Sequence, residues 1–332
     1  MAGRYWGIWT RGKLDLLRRY LEAFTTASKA QREIVYLDLF GGQPENYDRL
    51  TGEPLVGSPE IAMAVRPPFS KLRFFELGPN AAALEAALRS NFPDRDFAVY
   101  PGDVNVRVHE TLAELRPVNW APTFAFIDPN GPDTHWTTLE ALARYKRENL
   151  TKVELWLLFP AALFTRNLPI DGRTRPDDEA AITTMYGTDL WRTIYERRVD
   201  EAITPAEARE EYVNLMRWRL QTVLGYVWTH PLEVLNERGG PLYHMIFATD
   251  HDAGDRIMRH LYAQAAADFP AMREAARSRR ARDRERNAGV MSLFEEPPDL
   301  DLRAPVGRGE HFYEYVPPWP PTGIADAGPA EH

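Results

Sequence analysis

Apolar positions along the chain follow two alternating rhythms. Leu14, Leu17, Leu21 and Phe24 recur at helical spacing, which predicts an amphipathic helix over 12–28. Ile34 to Phe40 is then an apolar run interrupted by Asp38 and closed by Gly41-Gly42, the pattern of a buried strand ending in a turn. An acid inside such a strand requires a partner. A polar loop is predicted over 43–56. After it, Ser58 reads as a helix N-cap with Pro59 at the first helical position and Ile61, Ala62 and Val65 behind.

The alternation continues. Strands are predicted at 72–77, 97–100, 123–127 and 153–159, with helices at 81–90, 106–115 and 137–146 between them. Each strand is nearly continuous in apolar character, so the sheet is expected to be parallel and covered on both faces. Residues 160–222 break the rhythm with a polar loop at 171–178 and helical stretches near 179–196 and 205–223, read as a helical insertion. Strands at 226–235 and 242–249 around Gly239-Gly240 form an expected antiparallel hairpin, and a helix follows at 253–266. The fold class is therefore α/β: a Rossmann-like, mostly parallel seven-stranded sheet ending in an antiparallel hairpin. Residues 1–266 are expected to form the main domain, and 267–332 an Arg-rich helix with a Pro-rich, partly disordered tail.

Composition narrows the chemistry. The chain has 332 residues, 44% of them hydrophobic, which suits one large domain with additions. Cysteine is absent, excluding disulfides, thiolate metal sites and a Cys nucleophile. No signal-peptide layout or membrane-length apolar run is present, so a cytoplasmic location is expected. A net charge of −8 argues against a polycation that binds nucleic acid with its whole surface. The sequence lacks G-x-G-x-x-G, a P-loop and G-x-S-x-G, and its histidines are scattered.

In open α/β sheets, ligands bind outside the carboxyl ends of the strands. Four predicted strands end in acids. Asp38 precedes Gly41 and Gly42, where backbone can approach a ligand closely. Glu76 can accept both hydroxyls of a ribose. Asp103 can accept from an adenine amino group, with Asn105 beside it or simply capping the next helix. Asp128-Pro129-Asn130-Gly131 follows the fourth strand, over the expected reacting centre. Each signal alone is also explained by a solvated acid or a turn. Their ordered recurrence is less easily explained that way.

A wider set of residues carries a resemblance. Trp9-Thr10 with Lys13-Leu14, Tyr36 to Gly42, Gly52-Glu53 with Gly57-Ser58-Pro59, Phe75-Glu76, Gly102 to Asn105, Phe126 to Gly131, and Pro241-Leu242-Tyr243 through Phe247 to His251 resemble the three-Cys-motif partner proteins. The likeness covers most of residues 6–265. It implies a Rossmann-like methyltransferase fold, S-adenosylmethionine as cofactor and a companion protein with a three-cysteine motif. By that resemblance Asp38, Gly41 and Gly42 line the methionine end of the cofactor, and Phe40 is a further cofactor-binding residue. Glu76 takes the ribose, Asp103 and Asn105 the adenine, and Ser58 with Pro59 the pocket floor. Asp128, Pro129 and Asn130 form the catalytic segment. Two positions depart from pattern: Pro44 removes an N–H donor from the glycine loop, and Gly131 stands where base-amine methyltransferases carry an aromatic ring. The expected function is S-adenosylmethionine-dependent methyl transfer on or near nucleic acid. The alternative is a non-catalytic partner protein that keeps the fold.

The tail adds three motifs. Seven arginines between Arg273 and Arg286 suggest contact with DNA or RNA phosphates, against the plainer reading of a solvated charged helix. Val290 to Phe294 is an apolar pentapeptide. Met291 to Phe294 within it suggests docking on a DNA sliding clamp, against the plainer reading of a strip packed on its own domain. Tyr313 to Pro321 reads as a polyproline ligand or a stiff surface arm.

Overall fold

The computed structural model describes residues 4–49, 51–146, 150–171, 173–236, 238–287 and 313–321. Met291 to Phe294 lie outside these residues. Nine strands and ten α-helices are found among them: β1 (Arg4–Trp6), α1 (Ile8–Ala27), β2 (Val35–Asp38), β3 (Asn46–Asp48), α2 (Ser58–Ala64), β4 (Lys71–Glu76), α3 (Gly78–Asn91), β5 (Phe97–Pro101), α4 (Val104–Glu114), β6 (Thr123–Ile127), α5 (Trp136–Ala143), β7 (Glu154–Phe159), α6 (Ala161–Asn167), α7 (Pro176–Tyr186), α8 (Trp191–Val199), α9 (Pro205–Thr222), β8 (Trp228–Leu235), β9 (Pro241–Thr249) and α10 (Asp252–Asn287).

Seven strands form one sheet in the order β5-β4-β2-β6-β7-β9-β8. The first five run parallel, and β9 is antiparallel to both β7 and β8. This is the mostly parallel methyltransferase-type sheet with its terminal hairpin. The chain starts in the middle at β2, moves outward through β4 and β5, then returns to β6 on the other side. The order therefore reverses between β2 and β6, and the carboxyl ends at such a reversal are where open α/β sheets bind ligands.

Side-chain alternation divides the core into two layers. Val35, Leu37, Ala125 and Ile127 pack under α4, α5 and the inserted helices. Tyr36, Phe124 and Phe126 pack under α1, α2, α3 and α10. The helices on the second layer come close: a Cβ at Gly12 of α1 would lie 2.8 Å from Met272 of α10.

Several elements differ from expectation. The loop at 43–56 contains β3, which pairs in parallel with β1. The insertion holds four helices, α6 to α9, because Gly187 ends α7 at φ +63°. α3 starts at Gly78 with Pro79 in its first turn, ahead of Asn80. α10 runs unbroken past residues 266 and 267, with Pro270 inside it.

The segment from Tyr313 to Pro321 lies on the surface of the sheet's outer end. The Asn214 side chain both donates to the Trp319 carbonyl (2.7 Å) and accepts from its N–H (2.9 Å). Arg217 donates to the carbonyls of Thr229 (3.0 and 2.8 Å) and Val316. Tyr313 Oη donates to the Pro231 carbonyl at 2.8 Å. Thr229 and Pro231 are alternate residues of the edge strand β8, and Pro231 has no N–H to offer a further strand. Asn214→Ala removes both amide bonds to Trp319 and is expected to cost about 1–2 kcal/mol. Hydrogen exchange at Trp319 should rise in that variant. Unchanged protection would show that Asn214 does not hold the segment.

Candidate functional site

The register of the central strands builds the site. Asp38 on β2 pairs with Phe126 on β6, and Asp128 follows two residues later. Asp38 and Asp128 share the parity of Tyr36, Phe124 and Phe126, whose side chains face α1. α1 sends Lys13 to meet them, and Lys13 Nζ pairs with Asp128 Oδ2. The two side chains are 9% and 22% exposed, so the pair is largely shielded from water. Lys13 Nζ also lies 5.9 Å from the ring centre of Tyr243 on β9. Burial, and then the charge of Asp128, pushes the Tyr243 hydroxyl above its ordinary range.

Asp38 is fully buried. Its carboxyl accepts from Tyr36 Oη (3.1 Å), from the Phe40 N–H (3.3 Å) and from Ser58. Burial pushes its pKa up to about 7, against the effect of these three bonds, and the nearby Asp128 adds to the rise. Asp38 thus forms the floor beneath the glycine loop, with Pro59 and Ser58 buried beside it.

Gly41 donates its N–H to the Phe75 carbonyl at 2.8 Å. A Cβ there would stand 3.0 Å from Leu84, so the glycine permits α3 to pack. Gly42 adopts φ +73° and faces open space. Its N–H donates to Glu76 Oε2 at 2.6 Å, while Glu76 Oε1 accepts from the Leu77 N–H at 2.9 Å. Asp103 caps α4 by accepting from the Asn105 N–H at 2.9 Å. The Asn105 amide is committed to the segment after β6: it accepts from the His135 N–H (2.9 Å) and Thr138 Oγ1 (2.8 Å), and donates to the Asp133 carbonyl (2.9 Å). Phe40 is half-buried, Pro129 buried and Asn130 exposed.

The structure therefore sets Asp38, Glu76, Asp103 and Asp128 at the carboxyl ends of β2, β4, β5 and β6, four adjacent strands. Asp38 and Asp128 sense each other, and Glu76 touches the loop that follows Asp38. Lys13, Tyr36 and Tyr243 complete the group, although the sequence assigned none of them a role. For Lys13 a signal existed: it occupies the same i, i+4 stripe as Leu17 and Leu21, a cation on an apolar face. Trp136, five residues beyond Gly131, belongs to the core. It is 5% exposed and packs in the core with the Arg219 guanidinium 4.3 Å from its ring centre.

The folded protein holds the Asp38 proton up to about pH 7, whereas an unfolded chain releases it near pH 4. Between those values the native state binds more protons, so stability falls as pH rises through the window, by roughly 1.4 kcal/mol for each pH unit crossed. Glu154, buried against Tyr20 and Thr249 and also raised to about 7, acts in the same direction. The melting temperature is expected to be higher at pH 5 than at pH 8, and Asp38→Asn should flatten the slope in part. An Asp38→Asn protein with the wild-type slope would remove Asp38 from this account.

No family model matches the chain, and no curated protein does. Among solved structures, TYW2 of M. jannaschii in complex with AdoMet is 11% identical, with 73% of this chain and 77% of that one covered at a TM-score of 0.32. A protein of Legionella pneumophila str. Philadelphia 1 is 11% identical over 77% of this chain and 92% of its own, at 0.41. EvdMO1 is 15% identical over 73% of this chain and 42% of its own, at 0.34. At these scores the overlaps carry no weight for function, and the fold rests on the strand order of the chain itself.

Proposed function

We propose that the chain is an S-adenosylmethionine-dependent methyltransferase. Its cofactor would lie across the carboxyl ends of β2, β4 and β5, and its acceptor beside Asp128. One observation carries this reading: four acids end four neighbouring parallel strands around the point where the strand order reverses. The donor set fits an adenosine. Glu76 accepts two backbone bonds out of about four that a carboxylate can take, which leaves capacity for two ribose hydroxyls. Asp103 is exposed at the next strand end.

The bound cofactor supplies the methyl group. The residues of this chain position the acceptor and manage its proton. Asp128 orients the acceptor or accepts that proton, and Lys13 fixes the carboxylate in place. Nucleic acid is the first acceptor class in this proposal. A companion with a three-cysteine motif, as the resemblance implies, is its protein partner.

One observation favours a second reading, a partner protein that keeps the fold without catalysis. The N–H groups of Gly41 and Gly42 are both spent inside the protein, and Pro44 has none, so the loop has few donors left for a cofactor carboxylate. Calorimetric titration with S-adenosylhomocysteine separates the two. One binding site is expected, weakened about 30-fold by Glu76→Ala through loss of charged hydrogen bonds. A folded wild-type protein that gives no heat would leave only the second reading.

A further inference from the structure

A cleft of about 350 Å3 opens between α1, β8 and α10, with Tyr313 at its edge. Trp9, Phe269 and Tyr313 supply its rings, among Pro231, Leu232, Leu235, Ala266 and Pro270. Trp9 and Phe269 meet edge to face, their centres 6.0 Å apart, and Tyr313 lies against β8, its hydroxyl on the Pro231 carbonyl. Its polar contributors are Glu233 and Arg273. α10 continues from Arg273 and carries six further arginines up to Arg286, offset by Glu274, Asp283 and Glu285. That stretch is net +4 (seven arginines less three acids) in a chain of net charge −8. An aromatic hollow at the start of a cationic stretch of helix combines the two elements that hold single-stranded nucleic acid: ring faces for bases and cations along the backbone.

We propose that this cleft takes one unpaired base of a single-stranded nucleic acid, stacked among Trp9, Phe269 and Tyr313. Arg273, at the cleft's rim, carries the adjoining phosphate. A second crevice shares Trp9, Leu232 and Phe269 with the cleft and reaches Lys13 and Tyr243, the neighbours of Asp128. At about 10 Å3 it is far too small for a base. The base in the cleft is therefore an anchor, and a neighbouring part of the same strand lies beside Asp128. This last step rests on the methyltransferase reading, whereas the strand-binding site does not.

The test is fluorescence anisotropy with 5′-fluorescein-labelled dT12 and the full chain, across a series of salt concentrations. Tyr313→Leu, Trp9→Ala and Arg273→Gln should each weaken binding about 10-fold. Arg273→Gln should also reduce the salt slope by about 0.7, the share of one phosphate contact on a single strand, while Tyr313→Leu leaves the slope intact. Absence of binding at low salt overturns the proposal. So does binding that Tyr313→Leu and Trp9→Ala leave unchanged, or binding that inorganic polyphosphate displaces as well as unlabelled dT12 does, since charge alone would then explain it. Titration with S-adenosylhomocysteine on the same samples keeps the two ideas apart. Strand binding without S-adenosylhomocysteine binding fails the methyltransferase reading and leaves the cleft standing.

Discussion

Gly187→Ala is expected to lower stability by roughly 3–4 kcal/mol. Gly187 ends α7 in the left-handed region, where a Cβ costs about 1–2 kcal/mol. That Cβ would also lie 2.4 Å from Cγ of Trp136. The indole has no room to retreat, being buried with the Arg219 guanidinium over its ring. Overpacking of this kind adds about 1–3 kcal/mol. Gly42→Ala supplies the control. Its φ of +73° is similar, yet a Cβ there meets nothing within 4 Å, so only the backbone cost of about 1 kcal/mol applies. Denaturant titration of both variants decides the matter. Equal losses would mean that the contact with Trp136 carries no cost.

Lys13→Met is expected to cost about 3 kcal/mol at pH 8. Removing one partner of a shielded ion pair leaves the other charge uncompensated. Here the orphan is Asp128, which faces Tyr243 and the buried Asp38. The loss comes from leaving that carboxylate without its partner. Lys13→Met combined with Asp128→Asn should recover most of it, giving a large coupling in the double-mutant cycle. Additive losses would place the pair among contacts that contribute little.

Much of the sheet was legible because fully buried strands are written as apolar runs. Thr123–Ile127 appears with the expected limits, and the hairpin within two residues of its own. β1 and β3 were not legible. Three residues are too few to show a period, and the two segments pair across some forty positions. The helix expected to end at 266 instead runs on as α10 through Pro270, because Tyr262 and Ala265 before it and Ala276 after it are buried, and that packing outweighs the helix-breaking cost. At the site, the acids at strand ends could be read directly. What they bond to could not, because it depends on register. Asp38 meets Tyr36 and Ser58, and Asp128 meets a lysine from a helix more than a hundred residues earlier.

The segment from Tyr313 to Pro321 occupies the Pro231 carbonyl, which would otherwise be open to another strand. A chain cut before Tyr313 would keep its folded core and expose β8 as a template for copies of itself. Pro231 would then be the main obstacle to strand exchange or fibril growth. Versions lacking residues 313–321 would thus gain a tendency to self-associate that this segment holds in check.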